Sequence, residues 1–326
     1  MTLMPIKDNL TKSIYYAPRG RYRMYTLGSE LSRLYLHPTD LLIGIIGAPG
    51  AGKSTLIRGL FPGVELTNDD DGINKRTSDI FDFNPNDFFA GHTFHLDIHY
   101  ELAFHQHHKI VEAVRTALLA KKRVIVEHFD LIYEQLGFNA QIIFAIGEEV
   151  QVFRPSIFGP SPIKVKETTS KNLKYRLMAH TSEDLVGKVL KDCYSIGPKQ
   201  LHSDVRHGFI IAFDAKPDID IHSLQEQVLE IIAKSIPVSP GKGDYIMFGD
   251  EPFYCTGKRI HVKSTSQIEN FRMLKEFKFD PISGKYLLIG VVGEEGTETF
   301  DEHPPIQIES TALESVLTSQ IEKAGT

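Results

Sequence analysis

Residues 41–61 read LLIGIIGAPGAGKSTLIRGLF, and no other part of the chain constrains the architecture as strongly. The apolar residues 41–46 are typical of a buried strand, and the residues from Lys53 onward have the spacing of a helix. Between them, residues 47–54 (GAPGAGKS) fit the P-loop pattern G-x-x-x-x-G-K-[ST]. Because a P-loop joins a buried strand to a helix, these flanks predict a phosphate-binding loop rather than a glycine-rich turn without function.

The P-loop pattern also predicts how a nucleotide is held. Glycines allow successive backbone N–H groups to turn toward the phosphates, and the helix N-terminus adds to the attraction. We expect Lys53 to reach the β- and γ-phosphates and the hydroxyl of Ser54 to bind Mg²⁺. The guanine-reading motif N-K-x-D of GTPases is absent from the sequence, so ATP is favoured. The predicted nucleotide-binding residues are Gly47, Ala48, Pro49, Gly50, Ala51, Gly52, Lys53, Ser54 and Thr55.

Acidic residues follow two further apolar runs. The run RVIVEHFD (residues 123–130) offers Glu127 or Asp130 as the acid that supports Mg²⁺. The run VELTND (residues 64–69), predicted as the second strand, leads into a cluster of carboxylates in which Asp69 is the candidate for binding or activating an acceptor hydroxyl. This region resembles the P-loop kinases of small molecules, such as the nucleoside and shikimate kinases. The alternative is that the acidic segment is a solvated turn.

The composition is that of a soluble globular protein, with 41% hydrophobic and 24% charged residues among 326. No apolar run approaches the roughly 20 residues that span a bilayer, and the N-terminus has no apolar region typical of a secretory signal. Two cysteines are too few for a disulfide framework, so we expect a cytoplasmic protein, and the lack of an apolar span predicts no membrane partner. A net charge of -6 counts against tRNA as a partner but does not exclude a local basic patch.

Apolar runs alternate with longer helical stretches in the first half of the chain. Such alternation predicts β-α-β crossovers and therefore an α/β domain with a mostly parallel sheet. A turn-rich stretch at residues 155–162 then precedes a region with an α+β pattern, which begins with one long helix predicted over residues 167–191. The four predicted regions are an N-terminal lead-in (1–40), the P-loop domain (41–165), the α+β domain (166–293) and an acidic C-terminal tail (294–326).

Two separated motifs in the second half have the order of a known family. The first is His180-Thr-Ser-Glu-Asp184 in the predicted helix, and the second is Cys255-Thr-Gly-Lys-Arg-Ile-His261. Between them come HGFIIAFDA, a helix and FGDEPFYC. From about residue 170 to 293 the chain resembles the second additional domain of alanyl- and threonyl-tRNA synthetases and the free-standing alanyl-tRNA editing proteins. The resemblance implies the α+β fold of that domain for residues 166–293.

In that family the corresponding residues hold a zinc ion that positions the 3′ end of a mischarged tRNA. The resemblance therefore implies a zinc site at His180, Asp184, Cys255 and His261. Two departures from the family pattern are evident: Asp184 stands in place of a second histidine, and two extra residues separate Cys255 from His261. A thiolate, two imidazoles and a carboxylate are still good zinc ligands. His180 and Asp184 are four residues apart and share one helix face.

Two alternatives to this zinc site stay open. In the first, zinc has been lost and Asp184 forms a salt bridge with Lys258 or Arg259. In the second, a metal binds the histidine-rich stretch of the P-loop domain, where His95 and His99 have the i, i+4 spacing of a helix. These histidines are otherwise candidates for an acceptor pocket or ordinary surface and core residues.

Three functions are compatible with the two halves. The preferred one is an ATP- and Mg²⁺-dependent phosphotransferase acting on a small hydroxyl-bearing molecule, with the editing-like half contributing substrate binding. The first alternative is a zinc-dependent aminoacyl-tRNA deacylase regulated by nucleotide. The second is a non-catalytic, nucleotide-dependent binding protein for tRNA or an amino acid. The altered zinc ligands and the negative net charge weaken the deacylase hypothesis.

Overall fold

The apolar run before the glycine-rich loop (residues 47–54) forms the strand on which the large sheet is built. The structure is a computed structural model that describes residues 10–67, 76–85, 91–196, 207–255, 257 and 260–293, with the backbone alone for 201–205. Six strands of this described part form the large sheet. They are Lys12–Tyr16 (β1), Leu42–Gly47 (β2), Thr93–Asp97 (β3), Arg123–Glu127 (β4), Ile142–Ile146 (β5) and Glu149–Phe153 (β6).

The strand order in the large sheet is β1-β6-β5-β2-β4-β3. Strands β3, β4, β2 and β5 are parallel, whereas β6 is antiparallel to β5 and β1 is antiparallel to β6. The expected mixed α/β architecture with a mostly parallel sheet is therefore present. The chain leaves β2 toward β3 on one side and later crosses to β5 on the other side. In open α/β sheets such a reversal forms a crevice at the carboxyl ends of the strands, where ligands bind.

Helices cover both faces of the large sheet, which is why its strands are apolar on both sides. The helices are Arg21–Tyr35 (α1), Lys53–Leu60 (α2), Ile98–Glu101 (α3), His107–Leu119 (α4), Tyr133–Leu136 (α5), Pro162–Lys171 (α6), Leu173–Tyr194 (α7) and Ile221–Ala233 (α8). Ile43 and Ile45 of β2 face α1 and α2, whereas Leu42 and Ile46 face α4 and α6. Among the described residues, no helix has the length and apolar character needed to cross a membrane.

The second half consists of antiparallel strands packed against α7 and α8. Its apolar core includes Leu185 of α7, Leu224 of α8, and Phe209 and Leu288 of the strands. The strands are Leu201–Val205 (β7), Gly208–Phe213 (β8), Val238–Pro240 (β9), Tyr245–Phe248 (β10), Glu251–Tyr254 (β11), Arg272–Met273 (β12), Lys278–Asp280 (β13) and Lys285–Val291 (β14). Strands β12, β14, β8 and β7 form one sheet with β13 paired to β14, and β11, β10 and β9 form another.

The two halves are in direct contact within one compact unit that ends at Gly293. Buried Arg176 of α7 donates a hydrogen bond from Nη1 to the carbonyl oxygen of Gly147, at 2.9 Å. Gly147 follows the last residue of β5, which pairs with the last residue of β2. Helix α7 therefore contacts the carboxyl edge of the large sheet.

The structure differs from the sequence expectation at the second strand of the crossover. Residues 64–67 of the run VELTND are not a strand, and the second strand of the crossover is β3 at residues 93–97. The backbone N–H of Thr67 instead donates to the Nδ1 of His95, at 3.0 Å. A side-chain acceptor thus takes the place of a strand partner.

A second difference concerns the long helix predicted over residues 167–191. It is two helices, α6 and α7, which meet at Asn172. The hydroxyls of Thr168 and Thr169 donate to the carbonyl oxygens of Lys164 and Val165, four residues earlier. Such bonds bend helices, which accounts for the interruption.

Candidate functional site

The glycine-rich loop leaves β2 at Gly47 and enters α2 at Lys53. Gly50 and Gly52 have φ angles of 78° and 101°, a left-handed conformation that residues with a Cβ rarely adopt. A turn closes the loop, since Ala51 N–H donates to the carbonyl oxygen of Ala48 at 3.2 Å. The helix N-terminus that follows presents the backbone N–H groups that attract anions.

Helix α1 packs against this loop. The buried side chain of Met24 lies against Gly52, because a Cβ added there would be 3.3 Å from the methionine Cε. Further along, α1 and α2 cross at two glycines, where a Cβ on Gly59 would be 2.2 Å from the carbonyl oxygen of Tyr25. A Cβ on Gly28 would be 2.5 Å from the carbonyl oxygen of Leu56. The two helix backbones are therefore in direct contact.

Lys53 is the buried cation of this site. Its side chain is 7% exposed, and its Nζ donates to the carbonyl oxygen of Ala48 at 3.2 Å. The same Nζ lies 3.6 Å from the Oε2 of Glu127, whose side chain is 5% exposed. A buried cation requires a counter-charge, and the last residue of the neighbouring strand β4 supplies it.

The other oxygen of Glu127 is held by a histidine. The Nε2 of His95 lies 3.2 Å from Oε1 of Glu127. Burial raises the pKa of Glu127, but the hydrogen bond with His95 and the positive charge of Lys53 outweigh burial and bring this pKa below its usual value. Glu127 is therefore a carboxylate at neutral pH. Oxygen ligands of this kind suit Mg²⁺.

Two histidines lie beside Glu127 at the same edge of the sheet. His128 follows it with a φ of 58°, and its ring centroid lies 4.2 Å from that of His99. Burial, the charge of Lys53 and His99 lower the pKa of His128 to about 4. The imidazole of His128 is therefore neutral near pH 7. His99 belongs to α3 and His95 to β3, so these two residues do not share a helix face.

The remaining candidates of the first half occupy different places. Asp130 is paired with Lys166 of α6, whose Nζ donates to its Oδ2 at 2.5 Å. Asp130 is thus engaged away from Lys53, and Glu127 is the acid that contacts the lysine. Asp69 lies outside the described residues, although Thr67, two residues earlier, contacts His95.

The structure brings His180, Asp184, Cys255 and His261 together as a buried cluster. One ligand atom from each lies within 4.8 Å of those of the others. The Sγ of Cys255 is 3.5 Å from Nε2 of His180 and 3.8 Å from Nε2 of His261. The latter nitrogen lies 2.9 Å from Oδ2 of Asp184. The two extra residues between Cys255 and His261 therefore do not carry either side chain out of reach of the other two.

An arginine from before α1 completes the surroundings of this cluster. Arg19 donates hydrogen bonds to the carboxylates of Glu183 and Asp184, and its Nη2 is 3.4 Å from Sγ of Cys255. Burial raises the pKa of Asp184, but Arg19 and a hydrogen bond with His261 outweigh it and hold this pKa well below its usual range. Burial and the negative charge of Asp184 raise the pKa of the Cys255 thiol to about 12.

The donor set of the buried cluster fits a zinc ion. It comprises a thiol, two imidazoles and a carboxylate, and four such side chains fill a tetrahedral shell as they do in structural zinc sites. The backbone N–H of Gly257 donates to Sγ of Cys255 at 3.3 Å, a bond that stabilises a thiolate. A Cβ at Gly257 would be 2.8 Å from the ring of His180, so a larger residue there would displace that ring.

Sequence reasoning missed two residues of the buried cluster's surroundings. In the sequence, nothing distinguishes Arg19 from the other arginines of residues 1–40, and Glu183 is an unremarked position of the motif from His180 to Asp184. Their contacts join residues 164 and 165 positions apart, for which no local pattern exists.

Comparison with models of known protein families finds no match to the chain, and comparison with curated proteins finds no significant sequence relative.

Proposed function

We propose that the chain is an ATP- and Mg²⁺-dependent phosphotransferase that acts on a small hydroxyl-bearing molecule. The observation that carries the proposal is the buried contact between Lys53 and Glu127, at 3.6 Å, across the carboxyl ends of two adjacent parallel strands. A lysine at the start of a helix after a glycine-rich turn, facing an acid on the neighbouring strand, is the arrangement that P-loop proteins use for the phosphates and the metal.

In the proposed site, some residues of the P-loop half bind the phosphates and others bind the metal. The backbone N–H groups of the glycine-rich loop and the Nζ of Lys53 would bind the β- and γ-phosphates. Ser54 and Glu127 would hold Mg²⁺, which when bound neutralises charge on the phosphates. Glu127 is favoured over Asp130 for this role, because Asp130 is already paired with Lys166.

The acceptor is proposed to bind near the acidic segment that begins after Thr67. Thr67, the last described residue before that segment, contacts His95, which in turn contacts Glu127. Asp69 is the candidate that orients or deprotonates the acceptor hydroxyl. The neutral imidazole of His128 and the adjacent His99 lie at the same edge and can contribute to the acceptor pocket.

Zinc in the buried cluster is proposed as a structural element of the second half. Four protein ligands leave a tetrahedral ion without an open position, whereas catalytic zinc keeps one for water or substrate. Three of these residues are 2% exposed or less, and Arg19 packs against them. This closed environment favours a scaffold that contributes to substrate binding over a zinc-dependent aminoacyl-tRNA deacylase.

The deacylase remains the second candidate because the buried cluster retains donors from both motifs that resemble the editing proteins. The two functions are separated by ATP consumption. A phosphotransferase consumes ATP when a small hydroxyl-bearing metabolite is added, and Asp69→Asn lowers kcat more than nucleotide affinity. Two results together would contradict the proposal: release of an amino acid from mischarged tRNA, and no ATP consumption with any small hydroxyl-bearing metabolite tested.

A further inference from the structure

His95 has hydrogen-bond partners at both nitrogens of its ring. Its Nδ1 lies 3.0 Å from the backbone nitrogen of Thr67 and 3.1 Å from the hydroxyl oxygen of the same residue, and its Nε2 lies 3.2 Å from Oε1 of Glu127. The side chain of His95 is fully buried and that of Glu127 is 5% exposed, so water does not compete strongly for either bond.

The partners of the ring determine its tautomer. A backbone N–H can only donate, so Nδ1 of His95 accepts the hydrogen bond from Thr67. In the neutral ring the proton is then on Nε2, which donates to Oε1 of Glu127. Oε2, the other oxygen of that carboxylate, is left facing Lys53.

This arrangement excludes two other roles for His95. A metal ligand needs a free ring nitrogen, and both ring nitrogens of His95 have hydrogen-bond partners. A general base needs a lone pair directed at a substrate, and the lone pair on Nδ1 points at the N–H of Thr67.

We propose that His95 is a positioning residue that holds Glu127 in the orientation needed to support Mg²⁺. Through Nδ1 it also connects that carboxylate to the backbone of Thr67. This inference rests on the proposed function of the site. Residues that orient metal ligands in this way commonly cost about 10- to 100-fold in metal affinity when they are removed.

Two substitutions at His95 separate the contribution of Nε2 from that of Nδ1. His95→Gln carries an amide N–H near the position of Nε2, and therefore keeps the donor to Glu127. His95→Asn carries an amide oxygen near the position of Nδ1, and therefore keeps the acceptor for Thr67 but loses the donor. Both variants place a neutral amide side chain at the same buried position, so they are matched in charge.

The measurement is the Mg²⁺ concentration that gives half-maximal binding of a fluorescent ATP analogue. We expect His95→Asn to raise this midpoint about 10-fold or more and His95→Gln to stay within about 3-fold of wild type. In a Glu127→Gln background the two variants should have the same midpoint, because the carboxylate that His95 orients is gone. Equal midpoints for the two variants in the wild-type background would overturn the inference.

A second measurement does not depend on the variants folding. Nitrogen–proton correlation spectra of the wild-type imidazoles should give the Nε2-protonated tautomer for His95, and an Nδ1-protonated ring would overturn the inference. Wild-type protein that binds the ATP analogue with Mg²⁺, together with equal variants, refutes the positioning role alone. Wild-type protein without Mg²⁺-dependent binding refutes the proposed function and the inference with it.

Discussion

The guanidinium of Arg19 donates a hydrogen bond to the carboxylate of Asp184, which lies 165 residues further along the chain. Arg19 precedes α1, the helix that supports the glycine-rich loop through Met24. Asp184 belongs to α7 and to the buried cluster. One ion pair thus joins the segment beside the proposed nucleotide site to the proposed zinc site.

Removal of Arg19 should destabilise the metal-free protein. Arg19→Gln leaves the carboxylates of Glu183 and Asp184 buried without the cation, a change that typically costs about 3–5 kcal/mol. The matched substitution Arg33→Gln, at an exposed position of α1, should cost less than about 1 kcal/mol. Chemical unfolding of the metal-free proteins measures both. Similar losses in the two variants would contradict a structural role for the Arg19 pair.

The buried cluster should hold metal through its cysteine. We expect about one zinc per chain in purified wild-type protein and loss of most of it in Cys255→Ser, because a hydroxyl is a poor replacement for a thiolate ligand. Cys193 is exposed, so Cys193→Ser should keep both the zinc and the thermal midpoint. Metal analysis beside a thermal scan makes the comparison. Equal metal content in the two variants would remove Cys255 from the site.

Buried Glu101 should make stability depend on pH. Burial raises the pKa of Glu101 from 4.5 to about 7, so the folded state keeps a proton that the unfolded state loses above about pH 4.5. Stability is therefore lost as pH rises from about 4.5 through 7. Glu101→Gln, which keeps an oxygen for the N–H of Ser78, should match wild type at pH 4 and be more stable by on the order of 2 kcal/mol at pH 8.

The control for this pH dependence is Glu112→Gln, because the side chain of Glu112 is 67% exposed. Its difference from wild type in unfolding free energy should be small and nearly constant between pH 4 and 8. A constant difference for Glu101→Gln as well would show that its carboxyl titrates normally.

The crossing of α1 and α2 should not tolerate a methyl group. Gly59→Ala places a Cβ 2.2 Å from the carbonyl oxygen of Tyr25, and such overpacking costs roughly 1–3 kcal/mol. Gly187 is also helical, but a Cβ there would meet only the ring of Phe253 at 3.4 Å. Gly187→Ala should therefore be neutral or stabilising by up to about 1 kcal/mol. Unfolding free energies of the two variants test the difference, and a tolerated Gly59→Ala would contradict the close contact.

The part of the fold around β2 could be predicted because its determinants are local. The apolar run, the glycines and the helix that starts at Lys53 are consecutive in sequence, and the expected mostly parallel sheet is confirmed. Strand β3 was not recognised because His95 and Asp97 interrupt its apolar pattern. These polar residues are buried where the strand borders the candidate site. The residues that break the apolar pattern of the strand are therefore the ones that lie beside that site.

Only those residues of the candidate site that belong to a recognisable sequence motif could be predicted. Lys53 and Glu127 each follow from the strand that precedes them, but sequence gives no choice between Glu127 and Asp130. Tertiary contacts make that choice, since Lys166 pairs with Asp130 and leaves Glu127 beside Lys53. His95 appeared as a candidate metal ligand because its spacing from His99 suits a helix, which the strand β3 excludes.

The most direct test of the proposed nucleotide site is the affinity of the protein for Mg²⁺ and ATP in wild type and Lys53→Ala. A charged hydrogen bond to phosphate contributes roughly 2–3 kcal/mol, so Lys53→Ala should weaken binding by about 30- to 160-fold, and wild-type binding should require Mg²⁺. Lys109→Ala, at a side chain that is 60% exposed, should bind as wild type does. Unchanged affinity in Lys53→Ala would contradict the account.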